Sequence, residues 1–206
     1  MSSSLPDLAA LRQAIARIEK RPSVRRQQPV HPTGLPALDQ TIRGWPRPGV
    51  SEVTGRQGSG RLSLVLPAMA WFCKRGQPVA VVDPFGLAYP PGWRDVDLTQ
   101  TLLLQPGPER VAWTAEQLAG SGSVPLVVLL DAPRLGRGGL RLQRAAERGG
   151  CAVVVLSERS ERSLPAALRL ELQGRNAAGA LRLWIRRQRG GASGQRLELT
   201  LQAQGG

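Results

Sequence analysis

The chain has very few of the residues that bind metal ions or form disulfides. Among 206 residues it has two cysteines, Cys73 and Cys151, and one histidine, His31. Both cysteines lie among apolar neighbours, which predicts buried thiols that stay reduced in the cytosol. One histidine and two distant cysteines are too few ligands for a zinc site. The composition therefore argues against a disulfide-stabilised protein and against a zinc protein.

Long apolar runs are absent as well. No segment is long enough to span a bilayer. The first residues, MSSSLPD, lack the basic and apolar regions of a secretory signal. We therefore expect a cytoplasmic protein with no membrane partner.

Acidic residues are outnumbered by basic ones. The net charge is +13, with 28 lysines and arginines against 15 acidic residues. Such a charge favours polyanions or acidic proteins as partners. Arginine dominates over lysine, and alanine, glycine and proline are abundant, as a GC-rich coding sequence also produces. The charge alone therefore leaves nucleic-acid binding open.

The N-terminal part predicts a helix on a tether. Residues 5–20 have apolar side chains at spacings of three and four, which indicates one apolar stripe on a helix. This stripe consists of Leu8, Leu11, Ile15 and Ile18. Residues 21–32 are rich in proline and arginine and predict an exposed linker. We expect the helix to dock on its own domain, on a neighbouring copy or on another protein, with residues 33–206 forming the core.

The core alternates apolar strands with helices. The predicted strands are Val50–Thr54, Val79–Asp83, Leu102–Leu104, Leu126–Asp131 and Cys151–Leu156. The predicted helices are Leu35–Arg43, Arg61–Lys74, Pro108–Ala119 and Leu140–Glu147, and Pro67 should kink the second. Apolar strands that alternate with helices indicate a mainly parallel sheet covered by helices on both faces.

The pattern changes after Leu164. Leu168–Leu172, Leu181–Arg187 and Arg196–Leu201 alternate apolar and polar residues, which predicts antiparallel strands with one face in water. The fold class is therefore α/β, with additional C-terminal antiparallel strands. Two tryptophans, Trp71 and Trp184, lie in apolar elements and are expected in the core. Trp45 and Trp93 lie in proline- and glycine-rich loops and are expected to be exposed.

A glycine-rich loop follows the first core strand. It runs from Gly55 through Gly58 and Gly60 to Arg61 and Leu62. A working phosphate loop reads G-x-x-x-x-G-K-[ST], with a lysine for the phosphates and a hydroxyl for magnesium. Arginine keeps the charge with a different shape, and leucine cannot bind a metal. We expect a retained loop shape, leave ATP or phosphate binding open and expect no hydrolysis.

Two later positions concern the same chemistry. Asp131 ends an apolar strand, where a Walker B aspartate would hold magnesium. An ATPase of this type also needs a carboxylate near the end of the strand Val79–Asp83 to activate water. Position 85 there is Phe85. The sequence thus predicts no catalytic residue and no cofactor, although Gly55, Gly58, Gly60, Arg61 and Asp131 remain the candidate phosphate site.

The order of these motifs resembles the RecA recombinase core. Matching segments are Thr33-Gly34-Leu35-Pro36-Ala37-Leu38-Asp39 for the T-G-x-x-x-L-D signature, Gly49–Gly55 for the strand before the phosphate loop, Asp83 for the start of D-A-E, Asp131 for Walker B, Glu158 for the sensor glutamine, and Arg187-Gln188-Arg189 for K-N-K. The resemblance implies a RecA-like core. Phe85 replaces the catalytic glutamate of D-A-E, and the two DNA-binding loops are shortened to 134–139 and 159–163.

Among RecA relatives, the chain is similar to the ImuA family of accessory factors in bacterial SOS mutagenesis and translesion synthesis. This resemblance implies a nucleoid-associated protein that is not an enzyme and whose partner is an ImuB-type inactive Y-family polymerase homologue. Because RecA polymerises through its N-terminal helix, the helix at residues 5–20 could also mediate self-association. Two alternatives stay open: an active DNA-dependent ATPase that uses Arg61 and Ser63, and a SulA-type inhibitor of cell division.

The basic residues concentrate in two segments, 1–30 and 174–196. The second contains Arg186, Arg187 and Arg189 just before a glycine-rich stretch, 190–194. Arginines beside a flexible loop can reach phosphates. These three residues are the predicted DNA-binding or partner-binding site, and we expect salt-sensitive DNA binding without sequence preference.

Overall fold

An eight-stranded sheet forms the centre of the structure, a computed structural model that describes residues 29–191 and 193–201. The predicted N-terminal helix, with Leu8, Leu11, Ile15 and Ile18, and residues 21–28 of the predicted linker lie outside the described residues. The small sheet at the start pairs β1 (Val30–His31) with β2 (Trp45–Pro46).

The strand order of the large sheet is β10-β9-β8-β3-β7-β6-β4-β5. The strands are β3 (Gly49–Thr54), β4 (Val79–Val82), β5 (Thr101–Leu104), β6 (Leu126–Leu129), β7 (Ala152–Ser157), β8 (Leu168–Arg175), β9 (Leu181–Gln188) and β10 (Arg196–Leu199). Strands β8, β3, β7, β6, β4 and β5 are parallel, whereas β9 and β10 are antiparallel to their neighbours. The predicted fold class is confirmed.

In the part of the chain that the structure describes, four α-helices cover the parallel strands in two layers. They are α1 (Pro36–Ile42), α2 (Leu66–Cys73), α3 (Val111–Gly120) and α4 (Arg137–Gly149). Helices α1 and α2 share one apolar cluster with one face of the sheet, and α3 and α4 share a second cluster with the other face. Strands β3, β4 and β6 are buried along their whole length, because both of their faces are covered.

The segment after the glycine loop differs from the prediction. A single kinked helix was expected over Arg61–Lys74, but the chain forms a short 3₁₀ helix, Leu62–Leu64, and then α2. Pro67 lies in the first turn of α2, where its missing N–H costs no hydrogen bond. The proline therefore helps to begin a helix, and the predicted kink is wrong.

The tryptophan predictions are also wrong in part. Trp45 is fully buried and Trp93 is 5% exposed, although both were expected in exposed loops. Both belong to the cluster beneath α1 and α2, so each fixes a proline-rich loop to the core. Trp71 and Trp184 are only partly buried. Neighbouring proline and glycine describe the backbone and do not determine where the indole lies.

The two cysteines are buried and unpaired, as the sequence predicts. Burial raises the pKa of Cys151 to about 12 and also raises the pKa of Cys73. Both thiols are therefore protonated and inert at neutral pH. No helix among the described residues is long and apolar enough to cross a membrane, and no cluster of ligands within them could hold a metal ion.

Candidate phosphate-loop site and arginine face

The glycine loop begins where β3 ends, in the middle of the sheet. Gly58 and Gly60 have φ angles of 75° and 97°, which favour glycine. A Cβ on Gly60 would stand 3.0 Å from Leu181 Cδ2 on β9. The loop thus needs glycine both for its backbone conformation and for its fit against the C-terminal strands.

Arg61, at the end of the loop, forms an ion pair with Asp131. The distance from Arg61 Nη2 to Asp131 Oδ1 is 2.6 Å, and the Arg61 side chain is only 6% exposed. Asp131 follows β6, whose carboxyl end lies at the same edge of the parallel sheet as that of β3. The structure therefore brings Arg61 and Asp131 together at the edge where the glycine loop begins.

The ion pair leaves some of the hydrogen-bonding capacity of the loop unused. Arg61 Nη1 and Ser59 Oγ are buried and have no hydrogen-bond partner among the described residues. An unpaired buried donor is energetically costly, by about 1–3 kcal/mol. These two groups are the ones that an anion in the loop could satisfy.

The residues around the loop do not fit a magnesium–nucleotide complex. Such a complex uses an ammonium for the phosphates, a hydroxyl for the metal and a carboxylate for the water. Here the guanidinium of Arg61 is bound to Asp131, Leu62 offers no oxygen, and Phe85 is an exposed apolar side chain. Asp83 is fully buried and accepts hydrogen bonds from the backbone N–H groups of Leu87 and Ala88, which stabilises that turn.

Two further residues border the loop, and sequence reasoning had not placed them there. Glu158 Oε1 accepts a 3.3 Å hydrogen bond from the backbone N–H of Gln57. Arg175 Nη2 lies 3.7 Å from the position of a Cβ on Gly60. The carboxylate opposes an incoming phosphate, while the guanidinium attracts it. Glu158 had been matched to the sensor glutamine, which was a signal that it lies close to the loop.

A second, buried network lies on β3 itself. Glu52 is 1% exposed and accepts hydrogen bonds from Arg169, from Ser160 Oγ at 2.6 Å and from the backbone N–H of Glu161 at 2.7 Å. The Glu161 carboxylate in turn accepts from the backbone N–H groups of Leu135 and Gly136. The two short loops that follow β6 and β7 are therefore connected to each other and to the central strand.

The predicted arginine site divides into paired and unpaired side chains. Arg186 Nε is 2.6 Å from Glu171 Oε2, and its guanidinium stacks 3.5 Å above the Trp184 ring. The side chains of Arg187 and Arg189 are exposed and make no hydrogen bond or ion pair with any described residue. Within residues 29–191 and 193–201, no helix covers this polar face of β8, β9 and β10. Arg187 and Arg189 are thus free to reach a ligand, whereas Arg186 is held by its neighbours.

The comparison with solved structures decides the fold. A crystal structure of the RadB recombinase superposes with a TM-score of 0.69 over 82% of this chain and 94% of that chain, at 19% sequence identity. The chain has a RecA-like fold. This RecA-like core agrees with the motif order in the sequence, including the glycine loop after β3 and the aspartate after β6.

Sequence comparison gives the same relationship over part of the chain. RecA of Lactobacillus delbrueckii subsp. bulgaricus is 32% identical over 137 residues, 59% of this chain and 41% of that protein. RecA of Acholeplasma laidlawii is 38% identical over 104 residues, 48% of this chain and 31% of that protein. The chain thus spans less than half the length of the curated relatives it matches. No protein-family model matches it.

Proposed function

We propose that this RecA-like chain is a non-catalytic, ImuA-like accessory protein of DNA-damage-induced mutagenesis. It binds an ImuB-type inactive Y-family polymerase homologue and contacts DNA without sequence preference, in the cytoplasm at the nucleoid. The proposal combines a RecA-like core with a phosphate loop that lacks the groups used for hydrolysis.

The ion pair between Arg61 and Asp131 is the observation that carries the proposal. In a hydrolytic site the loop cation faces phosphate and the Walker B carboxylate faces magnesium. Here the two side chains neutralise each other at 2.6 Å. Opening the pair leaves the buried guanidinium of Arg61 without its counter-charge, which costs about 1–3 kcal/mol. The pair therefore favours a site that maintains its own structure over one that binds a magnesium–nucleotide complex.

The alternative of an active ATPase receives less support. It needs Ser63 as the magnesium ligand in place of Leu62. Ser63 lines a groove formed by α1 and α2, whereas Arg61 points to Asp131. The hydroxyl and the cation therefore do not converge on one phosphate group.

Phosphate release in the presence of magnesium, ATP and single-stranded DNA tests the catalytic part. We expect release at background level, unchanged in Arg61→Ala. DNA-stimulated release that Arg61→Ala abolishes would instead establish the ATPase. A blocked assembly of FtsZ would point to the SulA-type alternative.

Association with a polymerase homologue tests the second part. The full chain and a full-length ImuB-type protein are mixed and separated by size-exclusion chromatography with light scattering. We expect one complex whose mass is the sum of the two chains. Separate elution at micromolar concentrations would contradict the proposal.

A further inference from the structure

A groove lies between α1 and α2, and no described residue covers it. It has a volume of about 630 Å³ and lies on the face of the sheet opposite to α3 and α4. Its lining is mainly apolar: Pro36, Leu66, Pro67, Ala70, Trp71 and Leu201. Lys74, Arg75 and Arg94 line its rim. A groove of this composition fits the apolar side of an amphipathic helix.

The start of the described chain runs beside this groove. Gly34 is part of the lining, and the His31 ring lies 4.4 Å from Phe72 and 6.1 Å from Trp71, centroid to centroid. The carbonyl of Pro29 is fixed by a 2.8 Å hydrogen bond from the backbone N–H of Arg47. Whatever precedes residue 29 therefore enters the core close to the wall of the groove.

The sequence before Pro29 contains a segment whose apolar stripe suits the groove. Residues 5–20 predict a helix of about 24 Å with one apolar stripe. Eight residues, 21–28, connect it to Pro29 and span at most about 26–29 Å. The tether is long enough to let the helix return to the groove of its own chain.

Tethering favours the same chain over a second copy. A segment joined to the core by residues 21–28 has an effective concentration of about millimolar at the groove, which a second copy reaches only at millimolar protein concentration. We propose that the groove between α1 and α2 binds residues 5–20 of the same chain through Leu8, Leu11, Ile15 and Ile18. The helix then covers the apolar lining of this groove.

Hydrogen exchange of the full chain tests this binding. An isolated helix of this length is marginal in water, so slow exchange of residues 5–20 requires a partner surface. We expect exchange slowed by at least about tenfold, equivalent to about 1.4 kcal/mol, and independent of protein concentration. The protection should be lost in Ile15→Asp and kept in Gln13→Asp, which adds the same charge away from the stripe.

A variant in the groove locates the binding surface. Leu66→Asp changes the lining at the first residue of α2, where a carboxylate is compatible with the helix. It should abolish the protection of residues 5–20 while the rest of the core exchanges as before. Unchanged protection in this variant would show that the helix binds elsewhere and overturn the proposal.

The chain has only two lysines, Lys20 after the predicted stripe and Lys74 at the rim of the groove. An amine-reactive cross-linker should therefore give one lysine–lysine product, Lys20–Lys74, within the monomer and at constant yield on dilution. Its yield should fall in Ile15→Asp and stay in Gln13→Asp. A product found in dimers and lost on dilution, or fast exchange of residues 5–20 in the unmodified chain, would refute binding in the same chain.

Discussion

Two arginine–carboxylate pairs, one between β3 and β8 and one beside the glycine loop, differ in how completely their hydrogen-bonding groups are satisfied. In the pair of Glu52 and Arg169, the arginine also donates to Ser160 Oγ and to the carbonyls of Glu161 and Leu164. In the pair of Arg61 and Asp131, Arg61 Nη1 has no partner among the described residues. The first pair is complete, in the sense that its buried polar atoms are hydrogen-bonded. The second pair is incomplete, because one nitrogen of Arg61 has no hydrogen-bond partner in the described part of the chain.

The difference separates a pair that supports the core from a pair beside the candidate phosphate site. A charge buried on a central strand is tolerated only when every polar atom is paired, as at Glu52. At the glycine loop this requirement is not met, because Arg61 Nη1 and Ser59 Oγ have no partner among the described residues. The incomplete pair is therefore expected to stabilise the core less than the complete one.

The largest effect is expected at the complete pair. Glu52→Ala should lower the free energy of unfolding by about 3–5 kcal/mol, because Arg169 is left buried and uncompensated. Urea denaturation followed by circular dichroism measures the loss. Glu116→Ala removes a partner of the exposed Arg141 and should cost less than about 1 kcal/mol. A similar loss of stability in Glu52→Ala and Glu116→Ala would contradict the distinction between a buried and an exposed ion pair.

A smaller loss of stability is expected at the incomplete pair. Asp131→Ala should lower the free energy of unfolding by about 1–3 kcal/mol, since Asp131 is 25% exposed and water can reach the freed guanidinium. The same denaturation experiment applies. A loss equal to that of Glu52→Ala would mean that the loop pair also supports the core.

Phosphate binding should become tighter when Asp131 loses its charge, although the stability of the protein falls. Asp131→Asn keeps the shape and removes the negative charge, so Arg61 becomes available to phosphate. We expect about tenfold tighter binding of inorganic phosphate without magnesium, measured by calorimetry, as one charge-assisted hydrogen bond would give. The effect should vanish when Arg61→Ala is added; if it persists, the loop arginine is not the phosphate ligand.

The smallest effect is expected for DNA binding by the surface arginines, where paired and unpaired side chains can also be compared. Replacing Arg187 and Arg189 by alanine should reduce the slope of log affinity against log salt for single-stranded DNA by about 1.4, or about 0.7 for each lost phosphate contact. Arg186→Ala should change it less, because Arg186 is paired with Glu171. Fluorescence anisotropy at several salt concentrations measures both. A larger change of the slope in Arg186→Ala would mean that Arg186, and not Arg187 and Arg189, makes the phosphate contacts.

Much of the fold was visible in the sequence. Apolar strands such as Val79–Val82 and the switch to alternating residues after Leu164 predict the parallel sheet and the antiparallel extension. The ends of these strands differ by a few residues, because strand ends depend on the pairing partner, and the two-residue strands β1 and β2 were not predicted. Pro67 was misjudged since the position of a proline within a helix depends on where that helix begins.

Less of the site was visible. The glycine spacing and Asp131 indicated the place, but the contact of Arg61 with Asp131 depends on the strand order, which the sequence does not contain. Glu52 offered an unused signal: a carboxylate inside an otherwise buried parallel strand requires a partner. The identity of that partner, Arg169, follows only from the position of β8 beside β3.

The network at Glu52 also constrains how the protein is made. Glu52 and Arg169 are 117 positions apart in the chain. At about 5–20 residues per second, the ribosome adds Arg169 roughly 6–23 s after Glu52. During that time the carboxylate lacks its native partner Arg169, and β7 and β8, the neighbours of β3, are still to be synthesised. Strand β3 therefore precedes the other strands of the large sheet in translation and is among the last to be paired on both sides.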